Sequence, residues 1–292
     1  MSVASKIVEL ILSLSGASRE ISEKRFYKEM RKSAVQSKKE RDNLPVGLGV
    51  RVEKGVYCGM RYFVFVPPQV ECAKSVLYIH GSGYVNPYCT AQIRFASGLA
   101  KNTHAKVFFP LYPKLPFVTA AECFALLFNY FAFLQKKGEV CLVGDSSGGA
   151  LALALAAERK TATTVVAVSP WLRLSIGEEG RTARCDKFLS LSKLQYAATI
   201  WRGDLDEKDV RVSPFYADFK GKRILLFAGE YERFCPDAAD FFREQSMKGA
   251  KIEYEEGREQ QHCYPLFPTP EGKRARERIY REVCHFLYGR KK

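Results

Sequence analysis

Long apolar runs, paired cysteines and internal repeats are all missing from this 292-residue chain. No stretch approaches the ~20 apolar residues that a membrane-spanning helix needs. The apolar segment Ile7 to Leu14 has only eight residues and is interrupted by Glu9. A secretory leader needs a cleaner apolar run and a small-residue cleavage site. This segment is therefore expected to be a packed helix, with a surface membrane anchor as the alternative. The nine cysteines, an odd number, include no Cys-x-x-Cys pair. Cys141 falls in an expected core strand and Cys123 in an expected helix. That distribution fits reduced thiols in a cytosolic protein, against a disulfide framework or a zinc site. Neither a metal nor an organic cofactor is expected. A nucleic-acid motif is also lacking. The net charge of +14 is spread over most of the chain, so nucleic acid is not expected as a partner.

What is present alternates between two periodicities. Residues 1–45 read as helical. Val3, Ile7, Leu10, Ile11 and Leu14 share one face, Ser15-Gly16 breaks the run, and a Lys/Arg-rich helix follows over about Ser22 to Lys39. Its charges are expected to be a solvated face, with contact to anionic lipid as the sharper alternative. Gly49 to Tyr57 and Gly59 to Val66 suit a hairpin at a sheet edge, stopped by Pro67-Pro68. Further strands are expected at Ser75–Ile79, Lys106–Phe109, Val140–Val143, Thr164–Val168, Arg223–Phe227 and Ala250–Glu255. Helices are expected between them and at the C-terminal end, over Glu271–Tyr288. Strands alternating with helices predict an α/β fold whose mainly parallel central sheet is covered by helices on both faces. The stretch from Trp171 to Val212 lacks a strand pattern and reads as an insertion covering something, with a helix through Trp201 capped by Ser190 or Ser192.

The chemistry is concentrated at Gly144-Asp145-Ser146-Ser147-Gly148-Gly149. A buried strand precedes this segment and a wholly apolar helix, Ala150–Ala157, follows. Gly-x-Ser-x-Gly in that setting is a sharp turn that holds the serine hydroxyl outward at the top of a sheet. A serine hydroxyl needs a base to become a nucleophile, and the base needs an orienting acid. Such turns are followed in the chain by the acid and then the histidine. Of four histidines, only His262 and His285 lie beyond Ser146. His285 sits in the terminal helix as a packing residue, whereas His262 lies in a loop after the last strand and is the candidate base. Glu230, Glu232 and Asp237 all follow the strand ending at Phe227 and are candidate acids. Asp237 is also placed to cap the next helix. The oxyanion formed on attack needs backbone N–H donors. Ser147 would supply one, and the loop His80-Gly81-Ser82-Gly83 would supply the N–H groups of Ser82 and Gly83, with His80 bonding to loop backbone.

These motifs resemble the hormone-sensitive lipase branch of the α/β-hydrolase fold. His80-Gly81-Ser82-Gly83 is similar to its His-Gly-Gly-Gly, and residues 144–149 differ from its Gly-Asp-Ser-Ala-Gly-Gly only at Ser147. Ser169-Pro170-Trp171 and Ser213-Pro214 also have counterparts there, and the likeness runs over about residues 60–290. It implies that Glu232 is the acid. It also implies that residues 1–45 and about 173–212 form a helical cap on a catalytic domain spanning 46–292. The expected activity is that of a serine carboxylesterase acting on an apolar ester. Two alternatives stay open: a lipid or sterol deacetylase or amidase with the same residues, and a non-catalytic ligand-binding member of the fold. Three departures stand out: Ser82 for glycine, which implies reduced or narrowed activity; Glu232 for aspartate; and Arg173 where many members carry aspartate. The expected location is cytoplasmic, with peripheral membrane contact through the basic N-terminal helices. Oligomeric state is left open.

Overall fold

The computed structural model describes residues 1–38, 44–159, 163–183 and 185–289. Lys39 of the expected basic helix, and residues 39–43 and 184 of the expected cap, lie outside them.

Eight strands form one sheet among the described residues, in the order β1-β2-β4-β3-β5-β6-β7-β8. They are β1 Arg51–Tyr57, β2 Met60–Val66, β3 Ser75–Ile79, β4 Val107–Pro110, β5 Val140–Asp145, β6 Thr164–Val168, β7 Arg223–Gly229 and β8 Lys251–Gly257. β1 and β2 make an antiparallel hairpin, and β2 is antiparallel to β4. From β4 to β8 every pairing is parallel. Central strands of this kind are covered on both sides, which explains why they read as continuous apolar runs. The register separates their side chains into two cores. Leu77, Ile79 and Leu142 face one with Leu151 and Phe241. Val76, Tyr78, Cys141 and Val143 face the other with Leu99 and Ile279.

The helices are α1 Val3–Ser15, α2 Glu23–Lys38, α3 Thr90–Thr103, α4 Ala120–Gln135, α5 Ser146–Ala157, α6 Glu178–Thr182, α7 Leu191–Arg202, α8 Cys235–Met247 and α9 Pro270–Tyr288. α5 is apolar all round because its residues 146–156 are all buried. α2 turns Phe26, Met30 and Ala34 inward and meets α7, where the Phe26 and Tyr196 rings lie 5.5 Å apart. Ser190 caps α7, accepting the Lys193 N–H, and Glu20 accepts the N–H groups of Leu191 and Ser192. The short α6 was not anticipated, because five residues carry too little periodicity to reveal a helix.

α1 departs from the expected packing. Its apolar residues face solvent: Val3 is 75% exposed and Leu14 79%. Its polar side faces the protein instead. Ser5 is buried and donates to Gln260 and Glu271. Amphipathic spacing reveals that a helix has two faces, and tertiary bonds decide which one turns inward.

Candidate active site

β5 runs straight into α5 at Ser146, whose φ of +54° lies in the left-handed region that side chains usually avoid. The close crossing of turn and neighbouring loop holds it there. A Cβ on Gly148 would collide with the Ile79 carbonyl oxygen, and one on Gly81 would stand 2.7 Å from the Ser146 Cβ. Only glycine admits the loop after β3 so close to the serine.

His262 follows β8 in a loop. Its Nε2 lies 3.0 Å from Ser146 Oγ and its Nδ1 lies 2.8 Å from Glu232 Oε2. The three side chains come from distant parts of the chain, and all are buried. The Phe188 and Phe234 rings stand 5.2 and 5.4 Å from the imidazole. The other candidate acids do not reach it. Glu230 is exposed and accepts the Glu259 N–H. Asp237, in the first turn of α8, pairs with Arg173 at 2.5 Å. Burial pushes its carboxyl up, against the pull of that guanidinium. Arg173 also lies over the Phe215 ring. His285 remains on α9, away from these groups.

Asp145, next to the serine, organises the loop after β3. It accepts hydrogen bonds from the Tyr78 hydroxyl, the Gly81 N–H and the Gln92 amide at 2.7, 2.9 and 2.8 Å. Burial pushes its carboxyl up and these three donors oppose the shift. His80 stacks on Phe109 and its Nδ1 meets the Gly81 carbonyl at 3.0 Å. Burial and nearby Lys114 push its pKa well below the usual histidine value, so the ring is neutral. Gly83 and Ser147 N–H groups have no hydrogen-bond partner among the described residues. The Ser82 N–H does have one: it donates to Ser147 Oγ at 3.0 Å. Ser82 Oγ in turn meets the Tyr112 hydroxyl at 2.9 Å, and Tyr112 donates to the His80 carbonyl. Tyr78, Gln92 and Tyr112 were not singled out from the sequence. The clue to the first two was Asp145, a buried carboxylate beside the serine that needs donors.

The arrangement holds a hydroxyl, an imidazole and a carboxylate in hydrogen-bond contact. A family model described as alpha/beta hydrolase fold matches residues 76–266, well over half of the chain. The chain is an α/β hydrolase. This α/β hydrolase is 28% identical to an acetyl-hydrolase of Streptomyces hygroscopicus over 73% of its own length and 76% of the relative's. It superposes on an esterase/lipase from an uncultured bacterium with a TM-score of 0.85 at 19% identity, covering 99% of this chain and 100% of that one. It is similar also to a bacterial esterase of the hormone-sensitive lipase family, with a TM-score of 0.83 at 21% identity, covering 98% and 99%. At those identities the superpositions show the fold. No helix among the described residues is long and apolar enough to cross a membrane.

Proposed function

We propose that this carboxylic ester hydrolase cleaves apolar esters through an acyl-enzyme on Ser146. The observation that carries the proposal is the unbroken contact from Glu232 through His262 to Ser146, at 2.8 and 3.0 Å. Ser146 Oγ attacks the ester carbonyl carbon while His262 Nε2 takes its proton. Glu232 accepts the Nδ1–H, fixing the tautomer and stabilising the imidazolium. The new oxyanion sits among backbone N–H groups, with those of Gly83 and Ser147 as donors that have no partner among the described residues. The tetrahedral adduct collapses, the C–O bond to the alcohol breaks, and His262 returns the proton to the departing oxygen. Water then attacks the acyl-serine with His262 as base again, releasing the acid and restoring Ser146.

The described parts of residues 1–45 and 173–212 form a cap over this site. Phe188 from the second stretch stands against the His262 ring, and α2 and α7 pack together. Aromatic walls of this kind favour an apolar acyl or alcohol group and exclude water. A small acyl group, as in a deacetylase, is a second reading. It is supported by the name of the Streptomyces relative. The Ser146–His262 contact weighs against a non-catalytic binding protein.

Ser146→Ala should abolish hydrolysis of p-nitrophenyl butyrate and labelling by a fluorophosphonate, while thermal unfolding stays close to wild type. Wild-type protein that resists the fluorophosphonate, or an alanine variant that retains full turnover, contradicts the mechanism. Parallel turnover of p-nitrophenyl acetate and longer-chain esters distinguishes the two acyl preferences.

A further inference from the structure

A surface helix usually turns its apolar stripe to the core and its polar face to water. α1 does the reverse. Val3, Ile7, Leu10, Ile11 and Leu14 recur at helical spacing, and each is more than half exposed. The orientation is held by polar bonds on the opposite side. Glu271 accepts from the Ser2 N–H, the Ser2 hydroxyl and the Ser5 hydroxyl at 2.6, 2.7 and 2.9 Å, and Ser5 also donates to Gln260. Ser2 caps the first turn and left-handed Gly16 closes the last. A helix secured at both ends and along its polar face, with five aliphatic side chains outward, presents a built apolar ridge.

We propose that this ridge docks on an anionic lipid surface. Charge complementarity favours that occupant. The whole chain carries +14, and residues 1–38 hold eight Lys or Arg against four Glu. On α2, the helix that follows, Lys24, Lys28, Arg31 and Lys32 are exposed and have no ion-pair partner among the described residues. An amphipathic helix with aliphatic residues on one side and basic groups nearby lies in the headgroup boundary of a bilayer. A second copy of the chain is the weaker fit, because a standard protein interface takes about 20 to 30 residues a side and the ridge offers five. The polar face of the helix that carries the ridge is anchored close in sequence to the proposed base. Gln260, which holds Ser5, is two residues before His262.

The full chain should co-sediment with phosphatidylcholine–phosphatidylserine vesicles at least about tenfold better than with phosphatidylcholine alone, with the difference shrinking at high salt. Leu10→Glu/Leu14→Glu should abolish co-sedimentation. Hydrolysis of a soluble p-nitrophenyl ester without vesicles should stay unchanged, since both leucines point out to solvent on α1. Ile7→Trp should shift its emission to the blue on binding, because Trp171 and Trp201 are buried and contribute a constant background. Absence of binding to the anionic vesicles, or binding that survives the double substitution, overturns the proposal. A dimer in light scattering that Leu14→Glu converts to monomer also overturns it, and assigns the ridge to a second copy. None of these readouts depends on turnover, so they stand or fall apart from the proposed esterase mechanism.

Discussion

Removing one hydroxyl should make this enzyme faster. The Ser82 amide, expected from the sequence as a third oxyanion donor, instead donates to Ser147 Oγ at 3.0 Å. Two limits bound the effect of Ser147→Ala. If the amide already swings to the oxyanion during reaction, it must first break that bond, and a net hydrogen bond contributes about 1 kcal/mol. Removing the cost then gains about fivefold in kcat. If the amide never leaves Ser147, the variant gains a donor, and one oxyanion donor is worth about a hundredfold or more. The expected increase therefore lies between about fivefold and about a hundredfold in kcat for p-nitrophenyl acetate, with KM little changed. Stability should move the other way. The buried amide loses its partner in the resting variant, which costs about 1 to 3 kcal/mol and lowers the melting temperature by several degrees. Steady-state kinetics and differential scanning calorimetry on the same preparations test both. A kcat that stays within twofold of wild type would show that the Ser82 amide has no part in the rate-limiting step. A large fall would mean that the Ser147 hydroxyl itself donates to the oxyanion.

Three other perturbations follow from the geometry. Glu232→Gln keeps the shape but cannot stabilise the imidazolium, so kcat should fall by about 10³ to 10⁴ with the fold retained; a loss under tenfold in stopped-flow acylation points to another acid. Gly148→Ala drives a methyl into the Ile79 carbonyl and separates α5 from the loop after β3. It should cost about 3 kcal/mol or prevent folding, as urea denaturation will report, and near-native stability refutes the close crossing. Glu271 anchors α1. Burial works to raise its pKa, but the bonds from Ser2 and Ser5 outweigh it and bring the group to about 2. A carboxyl lowered in the folded state stabilises docking above the ordinary glutamate value and loses that contribution as pH falls through about 2. α1 amides should therefore gain exchange as the pH drops through that window, and Glu271→Gln should show the faster exchange already at neutral pH. Equal exchange in both proteins refutes the anchor.

The central strands were legible because they are buried on both faces. Ser75–Ile79 and Thr164–Val168 appear at their expected ends, bounded by polar or turn residues. The serine turn was legible for a related reason. A strand and a wholly apolar helix joined without a loop leave few conformations, and glycines mark where backbones cross. Legibility failed where long-range polar bonds decide. Glu230, Glu232 and Asp237 stand within eight residues of one another after the same strand, and spacing alone did not separate them; the resemblance singled out Glu232. In the fold they diverge because each finds a different partner: the Glu259 amide, the His262 ring and the Arg173 guanidinium. The same cause explains α1 and Ser147. A serine at position 5 that reaches a glutamate 266 residues away turns a helix inside out. A hydroxyl at position 147 captures an amide 65 residues away. Neither bond leaves a periodic trace, yet each decides what the neighbouring surface or amide is free to do. The serine turn points to the proposed chemistry, whereas these single polar contacts are where its rate and the proposed docking surface are open to test.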